Sequence, residues 1–307
     1  MKIFLSSTYQ DLIGHRATAA QAIERLGQQG IRMEVFGARP MEATNACLEE
    51  ILASDAMIGI YAHRYGYLPN GQSKSITEQE FDFSREKDKP TFCFVVDGDY
   101  PWPPKHVEAE PGRTRLQEFL QRLREKTVID SFTSPEDLAF KVASSLGRFL
   151  LYRKVKDELE KIPGHESVST AVGRSQVARR AARIDTIIRS ARILLVNDTP
   201  EQMSPVIEIL RDMGVNVQVE ISSDDALLAL SKDAYHVVIS DMERNAVQDE
   251  GTRLLKRIRE RNIFVPVIFT AGRFNPALGT PPFAFGITNR VDECLNLVFD
   301  ALERARG

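Results

Sequence analysis

The chain has 307 residues and a formal net charge of −3, and 43% of its residues are hydrophobic and 27% charged. At roughly 150 residues per domain this length predicts two domains, and the composition is that of a globular protein with a core in each half. The small net charge excludes a general electrostatic attraction to nucleic acid. Apolar runs are too short to span a membrane, and polar residues come too soon after Met1 for a secretory signal. We therefore expect a cytoplasmic protein.

The first hundred residues alternate between strand and helix patterns. An apolar strand at residues 2–5 leads into the hydroxyl-rich turn Ser6-Ser7-Thr8, and apolar positions then recur at helical spacing. Gly30 is predicted to end that helix. The remaining predicted elements are a strand at 32–36, a helix around 47–52, a strand at 57–61, a helix at 81–87 and a very apolar strand at 90–96. Repeated units of this kind favour a parallel sheet covered by helices on both faces.

The stretch at 75–83 is the most informative part of this half. It carries two carboxylates, Glu78 and Glu80, at the start of a predicted helix, and it follows the segment Arg64-Tyr65-Gly66-Tyr67. Ligands of parallel α/β sheets bind outside the carboxyl ends of the strands. We therefore expect this stretch, the arginine segment and the serines after the first strand to converge at one edge of the sheet.

Four segments of this half carry a family resemblance: Ser6-Ser7-Thr8-Tyr9-Gln10-Asp11-Leu12 with Arg16, Ser54-Asp55, Arg64-Tyr65-Gly66, and residues 75–81. Together they resemble a bacterial domain of unknown function that often stands at the N-terminus of multidomain signalling proteins. That family is similar to TIR domains and to nucleoside deoxyribosyltransferases. The transferases have a Thr-x-x-Glu pattern followed by Lys-Pro at the start of the next strand, and Thr77, Glu80 and Lys89-Pro90 match it.

The TIR-like resemblance implies that this half binds a nucleotide such as NAD and hydrolyses its N-glycosidic bond, with no required cofactor. Glu80 is the predicted catalytic residue, because a carboxylate can stabilise an oxocarbenium-like sugar or attack it. The residues predicted to hold phosphate, ribose or base are Ser6, Ser7, Arg64, Tyr65, Tyr67 and Thr77. The resemblance also implies that neighbouring subunits complete the site.

Each of these residues also has a structural interpretation. Glu80 could pair on the helix surface while Glu78 interacts with the helix dipole. The two serines could cap the first helix, and the tyrosines could pack over the sheet edge. Asp11 and Arg16 are predicted to form a structural pair across the first helix.

Residues 151–190 are predicted to form a helical linker between a TIR-like domain at 1–150 and a second domain at 191–307. The apolar spacing stops at Pro163-Gly164, and a helix rich in arginine follows. Its arginines are Arg174, Arg179, Arg180, Arg183, Arg189 and Arg192. Such a helix could bind nucleic acid, but no aromatic residues interleave with the arginines. A connecting helix, with self-association, is therefore the preferred interpretation.

The second half repeats the alternation, with strands predicted at 193–198, 215–219, 237–241 and 265–270. Their order resembles the receiver domain of two-component response regulators. That resemblance implies that Asp241 accepts a phosphoryl group, that Asp198 and Asp241 bind Mg²⁺, and that Thr270 contacts the phosphoryl group.

Two positions depart from the receiver pattern. Asn197 replaces one member of the usual acidic pair, and Asn289 stands where a lysine is expected, which leaves Arg290 or Arg273 to substitute for it. A degenerate receiver that docks a protein partner or dimerises is therefore preferred over a phosphorylated one.

The chain as a whole is predicted to be α/β, with two doubly wound, flavodoxin-like parallel sheets joined by a helical linker. The predicted function is bacterial signalling or antiphage defence, in which a TIR-like domain acts on a nucleotide and a receiver-like domain regulates it. Two alternatives are a non-catalytic adaptor and an enzyme like the nucleoside deoxyribosyltransferases.

Overall fold

The computed structural model describes residues 1–33, 42–160, 168–245, 247–272 and 279–305. The chain divides into two compact units, Met1–Gly147 and Arg148–Gly307. Each unit contains a five-stranded parallel sheet with flanking helices, which confirms the predicted α/β class with two doubly wound sheets. Within the described ranges, no helix is both long enough and apolar enough to cross a membrane.

The sheet of the first unit has the strand order β2-β1-β3-β4-β5, and all its pairs are parallel. Its strands are β1 (Lys2–Ser7), β2 (Gln29–Ile31), β3 (Ala56–Tyr61), β4 (Thr91–Val96) and β5 (Ile129–Phe132). Its helices are α1 (Ile13–Arg25), α2 (Ala43–Ala53), α3 (Ile76–Glu86), α4 (Gly112–Lys126) and α5 (Pro135–Glu160), within which the unit boundary falls. The connections reverse direction between β1 and β3, and such switch points are where ligands bind in this architecture.

Both faces of this sheet are covered. Alternate residues of each strand point to opposite sides, and in the central strands both sets of side chains are buried. Phe4, Met57 and Val95 pack in a cluster with residues of α2, α3 and α4, such as Phe81 and Phe119. Their strand neighbours are buried too, and all six residues of β3 are inaccessible to solvent. The fully apolar strands therefore form the middle of the sheet, as the sequence predicts.

The end of α1 differs from the prediction. Gly27, with φ +70°, ends the helix, and the N–H groups of Gly27 and Gln28 donate to the carbonyls of Glu24 and Ile23. This is the glycine-dependent helix end known as a Schellman motif. Gly30 instead lies inside β2, which pairs with β1 in the register Ile3↔Gly30. The predicted strand at 32–36 is therefore placed too late, and residues 34–36 lie outside the described residues.

The sheet of the second unit has the order β7-β6-β8-β9-β10, the same 2-1-3-4-5 pattern as the first. Its strands are β6 (Arg192–Val196), β7 (Asn216–Glu220), β8 (Val237–Asp241), β9 (Val267–Thr270) and β10 (Gly286–Thr288). Its helices are α6 (Val168–Ile188), α7 (Ser204–Asp212), α8 (Ser223–Lys232), α9 (Glu250–Glu260) and α10 (Val291–Arg304). Short 3₁₀ turns occur at Pro104–His106 in the first unit and at Pro200–Met203 in the second.

Two apolar clusters cover the two faces of this second sheet. Ile193 and Leu195 belong to a cluster with α6, α7 and α10, whereas Leu194 and Val196 belong to one with α8 and α9. Helix α6 packs on α10. Its Arg180 donates to Asp300 and Glu303 at 2.6 Å each. One of the arginines of the predicted linker is thus committed to carboxylates of the unit itself.

Candidate functional site

A cleft of about 590 Å³ opens at the carboxyl ends of the central strands of the first unit. We call it the unit 1 cleft. It is lined by Ser7, Thr8, Tyr9, Gln10, Asp11, Met33, Ala43, Arg64, Gly66, Tyr67, Leu68, Ile76, Thr77, Glu80 and Glu108. The structure therefore brings five of the predicted site residues to one cavity: Ser7, Arg64, Tyr67, Thr77 and Glu80. Its volume lies within the range of small-molecule pockets.

Glu80 contributes a buried carboxylate to this cleft. It lies in α3, whose N-cap Ser75 accepts a hydrogen bond from the Glu78 N–H at 3.3 Å, and its residue is only 5% exposed. Ser6 donates to its Oε2 at 2.5 Å. Burial raises the pKa of Glu80, and hydrogen bonds from Ser6 and Cys47 together with the charge of Arg16 offset part of that rise.

Glu78 is equally buried but faces a different set of partners. Its carboxylate accepts a hydrogen bond from the Tyr65 hydroxyl at 2.5 Å and one from the Arg122 guanidinium. Arg122 also binds Asp82 at 2.6 Å, so α3 and α4 are joined by an ion-pair network. Glu78 thus holds helices together, whereas Glu80 faces the cleft.

Tyr65 does not line the cleft. Its ring is buried in the apolar cluster of the first unit, and its hydroxyl is bonded to Glu78. Its N–H donates to Glu108 Oε2 at 3.0 Å. The structure therefore places it for packing rather than for stacking on a ligand, while Tyr67, at 69% exposure, borders the cleft.

The two serines after β1 have separate roles. Ser6 is fully buried, and its hydroxyl donates a hydrogen bond to Glu80. Ser7 lines the cleft, donates to the Thr8 carbonyl at 2.9 Å and accepts from Arg16 Nη1 at 2.5 Å. Arg16 therefore holds the end of β1. No described residue hydrogen-bonds to either oxygen of Asp11, and the predicted Asp11–Arg16 pair stays a prediction.

Arg64 and Gly66 shape the opposite wall. Arg64 Nη1 donates to Gln10 Oε1 at 3.0 Å, and its Nε lies 3.9 Å from Glu108 Oε2. Gly66 has φ +95°, and a Cβ there would lie 3.2 Å from Thr77 Oγ1 and from Thr8 Cγ2. Glycine is needed at this turn for both reasons.

Sequence reasoning missed Asp11 and Glu108 as cleft residues. Asp11 was read as a helix residue, and Glu108 lies in the proline-rich segment between β4 and α4. The Glu108 N–H donates to the His63 carbonyl at 2.8 Å, which brings this segment back to the cleft. Long-range contacts of this kind identify Glu108 as a cleft residue, and no local pattern signals it.

A smaller cavity of about 170 Å³ lies at the carboxyl ends of the strands in the second unit. We call it the unit 2 cavity. Asp241 and Thr270 both line it and are register partners across β8 and β9. Asn197 and Asn289 line it as well. Two residues of the predicted receiver site, Asp241 and Thr270, therefore share this cavity with the two positions that depart from the receiver pattern.

Asp241 has a raised pKa, mainly because of burial, and the nearby negative charge of Asp198 raises it further. Backbone N–H groups of Met242 and Glu243 and the charge of Arg244 act in the opposite direction. Asp198 does not line the unit 2 cavity, and its Oδ2 accepts the Asn245 N–H at 2.8 Å. Across the described ranges, no group of three or more His, Cys, Asp or Glu side chains is arranged to hold a metal ion.

Arg244 was not predicted, yet it is a fully buried cation beside Asp241. Its guanidinium donates to Ser240 Oγ at 2.7 Å, to the Asp241 carbonyl at 2.6 Å and to Ser223 Oγ at 2.8 Å. Burial lowers its pKa. Arg244 thus fixes the backbone at the end of β8.

Of the two cations proposed to replace the receiver lysine, the structure describes Arg290. Arg290 lines the unit 2 cavity, but its guanidinium is bonded to Asp292, with Nε 3.0 Å from Oδ1. Arg273 lies outside the described residues.

These folds and sites define two α/β modules with the same strand order, each with polar residues at the carboxyl edge of its sheet. Residues 2–147 match the family model described as Domain of unknown function (DUF4062). The match covers the first unit and just under half of the chain. No curated protein matches the chain.

Solved structures of receiver domains match a little over a third of the chain. The response regulator TrrA of Thermotoga maritima, in complex with Mg²⁺-BeF, is 21% identical, with 36% of this chain and 98% of that chain covered and a TM-score of 0.32. CheY4 of Vibrio cholerae is 22% identical, with coverages of 36% and 98% and a TM-score of 0.31. The receiver domain of Francisella response regulator 1452 is 19% identical, with coverages of 38% and 99% and a TM-score of 0.33.

Proposed function

We propose that the first unit binds a nucleotide in the unit 1 cleft and cleaves its N-glycosidic bond, with NAD as the leading substrate. The observation that carries this proposal is the Glu80 carboxylate, buried at the wall of a cleft of about 590 Å³. The fold and the family match do not indicate a particular activity. The support for this activity comes from the chemistry of the residues in the cleft.

The reaction would proceed by charge development at the sugar. The bond between C1′ and the nicotinamide nitrogen breaks, and its electron pair leaves with nicotinamide. Water adds to C1′ and releases a proton to solvent, which gives ADP-ribose. A desolvated carboxylate interacts strongly with the positive charge that forms on the sugar. The short Ser6 hydrogen bond holds the Glu80 carboxylate in one orientation for this role.

The other cleft residues suit the remaining parts of a nucleotide. Arg64 is one-third exposed and presents a guanidinium that can bind phosphate. Tyr67 offers an exposed ring on which a base can stack. Thr77 lies beside Gly66 at the start of α3, where a helix N-terminus favours anions.

The test is nicotinamide release from NAD by the full chain, by Glu80→Gln and by the matched control Glu86→Gln, which changes an exposed residue at the far end of α3. We expect Glu80→Gln to lose at least about 100-fold in turnover and the control to retain it. Turnover that is absent in the wild type, or equal in Glu80→Gln, contradicts the enzymatic proposal. NAD binding that persists without turnover supports a non-catalytic adaptor instead.

A transferase function predicts a different product. Exchange of free bases on deoxynucleosides, lost in Glu80→Gln, would identify it. The transferase alternative would use the same Glu80 carboxylate, and no separate structural observation favours it.

For the second unit we propose a protein-docking or self-association role in signalling rather than a phosphorylation switch. What supports it is the unit 2 cavity, whose described lining holds Asn289 and contains no lysine. Among the described lining residues Arg290 is the cation, and its guanidinium is already bonded to Asp292.

Magnesium is the cofactor that phosphorylation would need. Asp198 and Asp241 are close enough for the charge of one to raise the pKa of the other, and two carboxylates fit the usual protein contribution to a Mg²⁺ site. When bound, Mg²⁺ would neutralise their charge and that of an incoming phosphoryl group.

Incubation with acetyl phosphate and Mg²⁺, followed by intact mass measurement, tests the docking assignment. We expect no phosphoryl adduct on the wild type, and the same result for Asp241→Asn. A stoichiometric adduct that disappears in Asp241→Asn would contradict this assignment and restore the phosphorylation switch.

A further inference from the structure

The unit 1 cleft contains a carboxylate that has no hydrogen-bond partner among the described residues. Asp11 lies between β1 and α1, is 9% exposed, and lines the cleft together with Thr8 and Glu80. Neither of its oxygens accepts a hydrogen bond from a described residue. Buried polar groups are almost always hydrogen-bonded, and an unpaired buried charge is especially costly. Such a carboxylate on a cleft wall indicates a site for a hydrogen-bond donor from a ligand.

The hydrogen bonds of the nearby arginines go to other residues. Arg16 donates to the Ser7 hydroxyl at 2.5 Å, and Arg64 donates to Gln10 at 3.0 Å. Neither guanidinium hydrogen-bonds to the Asp11 oxygens.

The aromatic side chains near Asp11 do not neutralise it either. Burial lowers the pKa of His15 and of His63, and the negative charge of Asp11 opposes that effect in both cases. Their rings lie 5.4 Å and 5.5 Å from the ring of Trp102. The Nε2 atoms of both histidines and the Nε1 atom of Trp102 are buried with no described hydrogen-bond partner. Asp11 therefore lies near three aromatic residues whose buried ring nitrogens also lack a described hydrogen-bond partner.

We propose that Asp11 binds the paired hydroxyl groups of a ribose, so that the unit 1 cleft selects ribonucleotides over 2′-deoxyribonucleotides. This inference rests on the proposed function of the first unit. A sugar that reacts beside Glu80 must lie in this cleft, and the two free oxygens of Asp11 can accept from two neighbouring hydroxyls at once. The buried Thr8 Oγ1, also without a described partner, offers a further contact to the same sugar.

The test is equilibrium binding of AMP and 2′-deoxy-AMP to the full chain by calorimetry, since each carries a single sugar. We expect the wild type to prefer AMP by at least about 10-fold, because a hydrogen bond to a charged acceptor is lost in the deoxy analogue. Asp11→Asn should abolish that preference. Asp99→Asn, which removes an exposed acid of the same unit, should leave it unchanged.

Thermal unfolding separates a binding role from a structural one. Asp11→Asn removes a buried charge that has no partner, so its melting temperature should rise, whereas a structural carboxylate would give a decrease. A lower melting temperature for Asp11→Asn overturns the inference, whether or not that variant still binds a nucleotide.

The remaining outcomes identify which proposal fails. Equal binding of both nucleotides by the wild type overturns the ribose assignment and leaves nucleotide binding intact. An equal loss for both nucleotides in Asp11→Asn places the Asp11 contact on a part that both share, such as the base, and also overturns the inference. Failure of the wild type to bind either nucleotide overturns this inference, and nicotinamide release from NAD then decides separately whether the proposed function stands.

Discussion

Glu78 and Glu80 show how two acids in one helix turn acquire different roles. Both are nearly inaccessible to solvent, but Glu78 is held by Arg122 and Tyr65, whereas Glu80 has Ser6 as its hydrogen-bond donor and lines a cleft. Burial raises the pKa of Glu80, so its charged form costs stability. This is the expected condition for a functional carboxylate rather than a stabilising one.

The stability of the protein should report this cost as a function of pH. A carboxyl group whose folded-state pKa is raised stabilises the fold below its unfolded pKa, and this contribution is lost as pH rises through the folded pKa. Glu80→Gln removes the titration. We therefore expect Glu80→Gln to be more stable than the wild type at pH 7. The difference should shrink as the pH falls towards the ordinary pKa of a glutamate side chain, about 4.3.

Denaturant unfolding at a series of pH values measures this difference. Glu86→Gln is the control and should stay within about 0.5 kcal/mol of the wild type, because it changes an exposed surface residue. A stability difference for Glu80→Gln that does not vary with pH would show that burial does not raise the Glu80 pKa.

At the scale of elements, the turn between β3 and α3 sets the shape of the unit 1 cleft. Gly66 adopts φ +95° and passes close to the side chains of Thr8 and Thr77. The turn therefore places Arg64 and Tyr67 on the cleft wall while Tyr65 enters the core.

Gly66→Ala should destabilise the first unit by roughly 1–3 kcal/mol, since a non-glycine residue is strained at this backbone conformation. The substitution should also lower the affinity of the cleft for its ligand. The control is Gly147→Ala in α5, where a Cβ meets nothing within 4 Å and where alanine should stabilise the helix by up to about 1 kcal/mol. Unfolding followed by the fluorescence of Trp102 measures both, and equal effects of the two substitutions would contradict the strain argument.

At the scale of the whole molecule, the question is where the second unit begins. The predicted linker at 151–190 remains a prediction, but the structure shows α6 supplying Val177, Ala181 and Ile184 to the core of the second unit. Arg180 on the same helix pairs with α10. We infer that α6 is an integral helix of that unit.

Adjacent substitutions on α6 test this inference in the full chain. Ile184→Ala should destabilise the second unit by about 2–5 kcal/mol, because it leaves a cavity in a packed core. Arg183→Ala, at the exposed neighbouring position, should change stability by less than about 0.5 kcal/mol. Circular dichroism in denaturant measures both, and a neutral Ile184→Ala would favour a solvated linker.

The sequence by itself determined the α/β class, the two-sheet organisation and most strands, because runs such as those of β3, β4, β6 and β8 are apolar enough to require burial on both faces. It also selected Glu80, Arg64 and Tyr67, which line the unit 1 cleft, and Asp241, which lines the unit 2 cavity. These inferences succeed because they depend on local periodicity and on the geometry of parallel sheets.

Only the tertiary structure decided how individual side chains are used. It buried Tyr65, left the Asp11 oxygens without a hydrogen bond from a described residue, brought Glu108 to the cleft, and bonded Arg244 to the Asp241 carbonyl. Each of these outcomes depends on partners distant in sequence, whose positions follow from packing and hydrogen bonding in three dimensions. Local pattern cannot specify such contacts, because the same residue types are equally compatible with a paired, packed or ligand-facing side chain.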